Sequence, residues 1–314
     1  MDVRGKEKAE PVGDVTATLG EGPYWIPDDE CLLWVDIKEG RLHRTDVTSG
    51  VTDSVKLDAV AAAFPVVGGG VLTAGGHQLT LRSPAGEPAR VVAELPAREG
   101  TRFNDGAVDP AGRVWIGTMH LGESDPVGEL YRLNRDGTLS PVVRKVTISN
   151  GLGWSPDGSR LYYVDSPSRK IDVFDYDPAS GEAFRRRVFA DLRYADGVPD
   201  GLTVDADGCV WVAMWGGAAL RRFTPAGKPD AMLPVPVSQP TSCAFGGPDL
   251  SDLYVTTASV GLSEDVRAAQ PLAGRLLRLR PGPFGLPSAA TPALLPAAPD
   301  AAGPTMSGIP STSF

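Results

Sequence analysis

The chain has 314 residues, of which 42% are hydrophobic and 22% are charged, and these proportions are typical of a globular protein. Its formal net charge of −9, without any basic block, predicts that nucleic acid is not a partner. No stretch approaches the roughly 18 apolar residues of a membrane helix and the N-terminus lacks a signal-peptide core, so we expect a cytoplasmic protein with no membrane partner.

The predicted elements are short strands joined by turns. Residues 1–13 are polar, and we expect a flexible N-terminus. A β-like run, Asp14 to Leu19, is followed by six related hairpins, each with an apolar run, a polar turn and a second apolar run. Five of them are strong, and the second is a weaker, apolar copy. In chain order they contain GEGPYW with CLLWVDI, AVAAAF with VLTAG, RFNDGAVDPAGRVWIGTM, SNGLGWSPDGSRLYYVDS, PDGLTVDADGCVWVAMW and TSCAFGGPDLSDLYVTTA.

The five strong hairpins each open with a polar residue at an equivalent position. These openers are Glu21, Asn104, Asn150, Asp200 and Thr241. The first two are two steps of about 42 residues apart, and the later steps are 46, 50 and 41 residues. Such a period predicts four-stranded propeller blades. We therefore predict an all-β, six-bladed β-propeller over residues 14–282; two β-sandwiches are the alternative.

The ends of the chain complete this prediction. A propeller must close its ring, and we expect the run from Asp14 to Leu19 to pair with the last blade, residues 241–282. Beyond it, residues 283–314 are rich in proline and alanine, and we expect a disordered tail.

The repeat also predicts a site. The first strand of each propeller blade is innermost, so the openers should surround one mouth of the central channel. Two carboxylates and two carboxamides there suit a hard divalent cation such as calcium. Asn-Gly and Asp-Gly are also common turns, which is the alternative for each opener taken singly. Glu21 is a poor turn former and favours the site. Arg102 lies on the same strand face as Asn104 and is expected either at this mouth or in solvent.

Five motifs, GEGPYW, RFNDGAVDPAGRVWIGTM, ISNGLGWSPDG, PDGLTVDADGCVWVA and TSCAFGG, resemble the SMP-30/gluconolactonase/luciferin-regenerating-enzyme family, also called regucalcin-like. The resemblance runs from about residue 19 to 280. It implies a six-bladed propeller with one divalent metal in its channel and hydrolysis of sugar lactones to aldonic acids. By matching motif, it implies Glu21, Asn150 and Asp200 as metal ligands and Arg102 and Asn104 as substrate contacts.

One segment departs from the family pattern. In HLGESDPVGELY, which contains His120, Glu123 and Asp125, the acidic residue of a lid-like segment does not align cleanly. The segment leaves open which sugar is accepted.

The hypothesis for the reaction is metal-assisted lactone hydrolysis. The cation would polarise the carbonyl and activate water, with Asp200 as the catalytic proton acceptor. Calcium is the expected ion, and manganese, zinc, magnesium or iron are compatible with the ligands. A monomer or weak homo-oligomer is expected. An organophosphate or aryl-ester hydrolase and a non-catalytic calcium-binding propeller are the alternatives.

Overall fold

The computed structural model describes residues 2–3, 8–83 and 88–292, and these residues form a six-bladed β-propeller. The chain first forms two short strands, β1 (Asp2–Val3) and β2 (Glu10–Thr16). Blade 1 consists of β3 (Gly20–Ile26), β4 (Cys31–Asp36), β5 (Arg41–Asp46) and β6 (Thr52–Lys56). Blade 2 consists of β7 (Ala62–Pro65), β8 (Val71–Gly75), β9 (Gln78–Arg82) and β10 (Arg90–Glu94). Blade 3 consists of β11 (Thr101–Val108), β12 (Val114–His120), β13 (Gly128–Leu133) and β14 (Leu139–Val146).

The other three blades follow the same antiparallel order. Blade 4 consists of β15 (Ser149–Trp154), β16 (Arg160–Asp165), β17 (Lys170–Asp177) and β18 (Glu182–Asp191). Blade 5 consists of β19 (Val198–Val204), β20 (Val210–Trp215), β21 (Ala219–Phe223) and β22 (Pro229–Pro234). Blade 6 contains β23 (Pro240–Gly246), β24 (Asp252–Thr257), the short helix α1 (Glu264–Ala269) and β25 (Arg275–Leu279). Two 3-10 turns occupy Pro27–Asp29 and Ser166–Ser168. Within the described ranges, no helix has the length and apolar content needed to cross a membrane.

The ring closes through the N-terminal part of the chain. Strand β2 pairs antiparallel with β25 and is the outermost strand of blade 6. This is the predicted closure, but the strand begins at Glu10 rather than Asp14. The expectation of a flexible N-terminus is therefore wrong for residues 10–13. Strand β1 pairs parallel with β22, and residues 1 and 4–7 lie outside the described residues.

Packing between adjacent blades forms the core. The innermost strands contact one another in the closed order β3, β7, β11, β15, β19 and β23. Large aromatic side chains fill the spaces between blades; the Trp115 ring, for example, lies edge-on to Trp154 with centroids 6.0 Å apart. Two aspartates at hairpin turns hold such rings, because Asp109 accepts a hydrogen bond from the indole of Trp115 and Asp205 from that of Trp211.

Five of the six innermost strands carry a β-bulge at the opener. In blade 1, Glu21 pairs with Val35 and Tyr24 pairs with Leu33. Strand β3 therefore has one more residue between these two pairs than β4 has. The same single extra residue occurs in β11, β15, β19 and β23 at the equivalent place. Strand β7, which begins with apolar residues, pairs with β8 in continuous register. A bulge changes the direction of side chains locally. At the five bulges, the polar openers therefore do not follow the regular alternation of side chains between the two faces of the sheet.

Residues 283–292 are not a disordered tail. They run across the end of the channel opposite the openers, where Gly285 forms a bridge with Asp205 and Thr291 forms one with Val66. The expectation for the tail is therefore wrong for these ten residues. Residues 293–314 lie outside the described residues.

Asp205 offers a test of the blade core. Its buried carboxylate accepts hydrogen bonds from Trp211 and Arg222, and the Arg222 side chain is only 5% exposed. Asp205→Ala removes the fully buried partner of this guanidinium, which keeps the partly exposed Asp230 at 2.6 Å, and should lower the free energy of unfolding by about 2 kcal/mol. Asp207, which also pairs with Arg222 but is 71% exposed, provides the control. Asp207→Ala should cost less than about 1 kcal/mol in the same denaturant titration. Equal losses would contradict the role of burial.

Candidate metal and substrate site

A cavity of about 410 Å3 lies at the mouth of the channel formed by the starts of the innermost strands. Four of the five predicted openers line it: Glu21, Asn104, Asn150 and Asp200. Arg102 lines it as well. Five residues that the sequence analysis singled out therefore lie together in the structure. Thr241 does not line the cavity; its buried hydroxyl donates to the carbonyl of Gly20 at 2.6 Å.

A chain of hydrogen bonds fixes the orientation of the two asparagines. Arg102 Nη1 donates to Asn104 Oδ1 at 2.8 Å, and Asn104 Nδ2 donates to the Ser149 carbonyl at 2.8 Å and to Asn150 Oδ1 at 3.1 Å. Asn150 Nδ2 in turn donates to Ser166 Oγ at 2.7 Å. The amide nitrogen of Asn150 is thus directed to Ser166, and Oδ1 retains a second lone pair for a ligand.

Glu21 and Asp200 are buried carboxylates, 8% and 5% exposed. Burial, followed by the charge of Asp200, raises the pKa of Glu21 well above its ordinary value. Burial, followed by the charge of Asp105, likewise raises the pKa of Asp200. Among the described residues, neither carboxylate forms an ion pair, and Arg102 only partly offsets the charge of Glu21. Each charge is therefore costly unless a cation binds nearby.

Asp105 is an acidic residue that the repeat alignment did not select. It follows Asn104 in the bulge of β11, and its carboxylate accepts a hydrogen bond from the Gly106 amide. Burial raises its pKa to about 6. Its charge acts on both Glu21 and Asp200. The sequence carried no signal for it, because the bulge that places Asn104 and Asp105 together is visible only in the strand register of the structure.

The cavity also has an apolar wall that sequence reasoning missed. In each hairpin the end of the second strand pairs with the start of the first, as Thr101 with His120 and Val198 with Trp215. Residues at or just past the ends of the second strands therefore reach the same mouth. Those that line the cavity are the apolar residues Ile37, Met119, Pro167 and Trp215, together with Ser166. Antiparallel pairing of the predicted hairpins was the available signal.

The lid-like segment contributes one acidic side chain to the cavity. Glu123 lines it, and its backbone has a positive φ of 57°. The charge of Glu123 acts to raise the pKa values of Arg102 and Asp200. Asp125 does not line the cavity; its carboxylate lies 3.6 Å from His120 Nδ1. Of the two acidic residues in this segment, Glu123 is the one at the site.

The residues present fit a divalent cation. Carboxylate oxygens of Glu21 and Asp200 and the oriented amide oxygen of Asn150 form the oxygen-only set that calcium prefers. In the described part of the chain, no group of three His, Cys, Asp or Glu side chains forms a metal cluster, so the asparagine is needed to complete the set. The buried carboxylates without an ion-pair partner are what a bound cation would neutralise.

Comparisons with known proteins find similarity over most of the chain. The family model described as SMP-30/Gluconolactonase/LRE-like region matches residues 19–259. The chain is 39% identical over 285 residues to pentonolactonase XacC of Haloferax volcanii, covering 88% of this chain and 95% of that protein. It is 36% identical over 280 residues to regucalcin of Xenopus laevis, covering 87% and 94%. The crystal structure of the calcium-binding protein regucalcin from Agrobacterium tumefaciens matches with a TM-score of 0.88 at 30% identity, covering 92% and 99%. The predicted resemblance and the six-bladed fold are confirmed.

The raised pKa values predict an unusual response to Glu21→Gln. The folded, cation-free protein keeps protons on its buried carboxylates at pH values where the unfolded chain has lost them, so its stability falls as the pH rises above about 4.5, the ordinary pKa of a glutamate. At pH 7.5 in chelator, Glu21→Gln should therefore raise the thermal midpoint. Calcium at 100 times its Kd should stabilise the unsubstituted protein by about 2.7 kcal/mol, and the variant by much less.

Glu99→Gln is the control for the change in net charge, because Glu99 is exposed. It should leave both the midpoint in chelator and the calcium response unchanged. A Glu21→Gln protein that is less stable in chelator, or that keeps the full calcium response, would contradict the ligand assignment.

Proposed function

The chain belongs to the SMP-30/gluconolactonase/LRE-like family, and we propose that it is a hydrolase that opens sugar lactones to aldonic acids with one divalent cation. The observation that carries the proposal is the convergence of Glu21, Asn150 and Asp200 with Arg102 in one cavity beside an apolar wall. The two buried acids would bind a cation, and the guanidinium beside them would donate hydrogen bonds to an oxygen-rich ligand. The name of the pentonolactonase relative supports a sugar lactone as substrate.

Glu21, Asn150 and Asp200 would hold the cation. Calcium is our first choice, since the ligands are oxygens and the Agrobacterium regucalcin is described as calcium-binding. Manganese, zinc, magnesium and iron are the alternatives. When bound, the cation supplies Lewis-acid polarisation of the lactone carbonyl and a lowered pKa for water.

Hydrolysis requires a proton acceptor near the attacking water. Water oxygen bonds to the carbonyl carbon, the ring C–O bond breaks, and the released ring oxygen takes up a proton. No histidine lines the described cavity, so a carboxylate is left for this role. We assign it to Asp200, which accepts the proton of the water and returns it to the ring oxygen.

Arg102 and Asn104 are proposed to contact the substrate in different ways. Arg102 uses Nη1 for Phe103 and Asn104, and within the described residues its Nε and Nη2 have no hydrogen-bond partner. These nitrogens are available to the oxygens of a sugar lactone. Asn104 donates both amide hydrogens, to Ser149 and Asn150, so toward a substrate hydroxyl it can act only as a hydrogen-bond acceptor.

The apolar wall favours a ring-shaped substrate. The side chains of Ile37, Met119 and Trp215 face the same cavity as the polar ligands. A sugar lactone presents both C–H faces and hydroxyl groups, and an indole packs against the former while the polar wall binds the latter. Such packing also displaces water other than the attacking molecule.

Two other functions are tested by the same assays. An organophosphate or aryl-ester hydrolase would turn over a phosphotriester or phenyl acetate faster than gluconolactone and pentonolactones. A non-catalytic calcium-binding propeller would bind calcium and open none of them. Metal analysis of protein purified without chelator, followed by this panel on the reconstituted protein, separates the three.

Asp200→Asn tests the proton acceptor, because it keeps a ligand oxygen while removing the basic carboxylate. We expect lactone turnover to fall by about 100-fold to 10,000-fold, the usual contribution of a general base. Far-UV circular dichroism should show an unchanged fold. Asp191→Asn, the same change on the exposed outer strand β18, is the control and should keep full turnover. Near-normal turnover by Asp200→Asn with saturating calcium would exclude Asp200 from the role.

Arg102→Lys tests the substrate contact. Lysine keeps the charge but loses the planar pair of donors, so KM for the lactone should rise about tenfold for the loss of about 1.4 kcal/mol, with kcat changed less. Arg144→Lys is the control, since this side chain pairs with Glu129 away from the cavity. An unchanged KM for Arg102→Lys would place the guanidinium outside the substrate contacts.

A further inference from the structure

The segment 284–292 lies across the end of the channel that is opposite the candidate site. The openers lie at the starts of the innermost strands. By contrast, this segment contacts residues just beyond the ends of the same strands, such as Ala206 after β19 and Leu250 after β23. It follows the last strand of blade 6 and lies outside residues 19–259, which the family model matches.

One end of the segment is fixed to blades 5 and 6. The amide of Ala206 donates to the carbonyl of Phe284 at 2.9 Å, and the amide of Gly285 donates to the carbonyl of Leu250 at 2.8 Å. A side chain at Gly285 would place its Cβ 2.1 Å from Cβ of Phe245. Glycine is therefore required for this close approach to β23.

The other end is fixed to blades 1, 2 and 3. Thr291, which is buried, donates its amide to the Pro65 carbonyl at 3.0 Å and accepts from the Val67 amide at 2.8 Å. The hydroxyl of Tyr24 donates to the carbonyl of Ala289. Pro292 packs against Gly112, where a Cβ would lie 2.9 Å from the proline ring.

These anchors lie on opposite sides of the ring. Blades 2 and 5 are three blades apart in a ring of six, so a chain tied to both must cross the axis. Six residue steps separate Gly285 from Thr291, and an extended chain covers about 20 Å in that distance. The segment between them, Leu286 to Ala289, lines a second cavity of about 310 Å3 together with the innermost strands.

The second cavity lies close to the candidate site. Asp105 lines it, and the preceding residue, Asn104, lines the candidate site. Water that entered freely from this end would increase the hydration of Glu21 and Asp200, which are only 8% and 5% exposed. Cys243 in β23 also lines this second cavity; its side chain is 3% exposed and belongs to a core cluster with Trp211 and Phe245.

We propose that residues 284–292 form a strap that closes the distal end of the channel and ties blades 5 and 6 to blade 2. The candidate site then exchanges substrate, product and water through the proximal mouth alone. The strap is also a second closure of the ring, in addition to the pairing of β2 with β25.

Truncation tests the strap, with Cys243 as a built-in reporter. A chain of residues 1–282 lacks the strap, and a chain of residues 1–292 retains it and is the matched control. The rate of Cys243 alkylation by N-ethylmaleimide is measured by peptide mass spectrometry, with buried Cys31 in blade 1 as the internal reference. We expect alkylation at least tenfold faster in 1–282 than in the full chain, an unchanged rate in 1–292, and a lower thermal midpoint only in 1–282.

Two results would overturn the proposal. One is a folded 1–282 chain in which Cys243 reacts as slowly as in the full chain. The other is a 1–292 chain in which Cys243 reacts as fast as in 1–282, which would assign the seal to residues beyond 292. Should 1–282 fail to fold, Gly285→Val in the full chain displaces the strap by its clash with Phe245, and an unchanged Cys243 rate in this folded variant would equally refute the strap.

Discussion

The candidate site depends on one backbone feature, the extra residue that each of five innermost strands carries at its opener. In a regular strand, successive side chains alternate between the two faces of the blade, where they pack against neighbouring blades. The bulge interrupts this alternation and leaves polar side chains near the channel axis. Strand β7 has no bulge, and its opening residues are buried and apolar. The blade that supplies no polar opener is thus the blade without the irregularity.

Bringing these side chains to one axis has an energetic cost. Glu21 and Asp200 are buried, repel one another, and within the described residues have no ion pair to compensate. Removal of either charge should relieve repulsion in the cation-free protein, which is the usual trade between stability and function at a ligand site. The hydrogen bonds from Arg102 through Asn104 and Asn150 to Ser166 hold the two asparagine side chains in place before any ligand binds. Less reorganisation is then needed when the site is filled.

The two ends of the channel differ in the side chains that line them. The proximal end has acids, amides, an arginine and an apolar wall around an accessible cavity. The distal end has mainly apolar inner-strand residues beneath the segment 284–292. A propeller channel is open at both ends in principle, and a chemical site within it benefits when solvent enters from one side only. Asp105 connects the two ends: it lines the distal cavity, and its charge raises the pKa values of Glu21 and Asp200 at the proximal one.

The sequence by itself determined the number of blades, the hairpin order and four of the residues that line the cavity. It could do so because a repeat places equivalent positions at equivalent points of a ring, whatever the details of packing. Thr241 aligned equally well, yet its hydroxyl bonds to Gly20 instead of lining the cavity, and only the local geometry distinguishes a hydroxyl that reaches the axis from one that reaches a neighbouring strand.

The tertiary structure decided three further features. Trp215 and Met119 line the site because antiparallel pairing returns the second strands to the same mouth. Asp105 joins the acids because of the bulge. Residues 283–292 have the composition of a disordered segment, but composition reports only the average tendency to bury surface. Their order comes from hydrogen bonds to Pro65, Val67, Ala206 and Leu250, residues distant in sequence that meet only when the ring has closed.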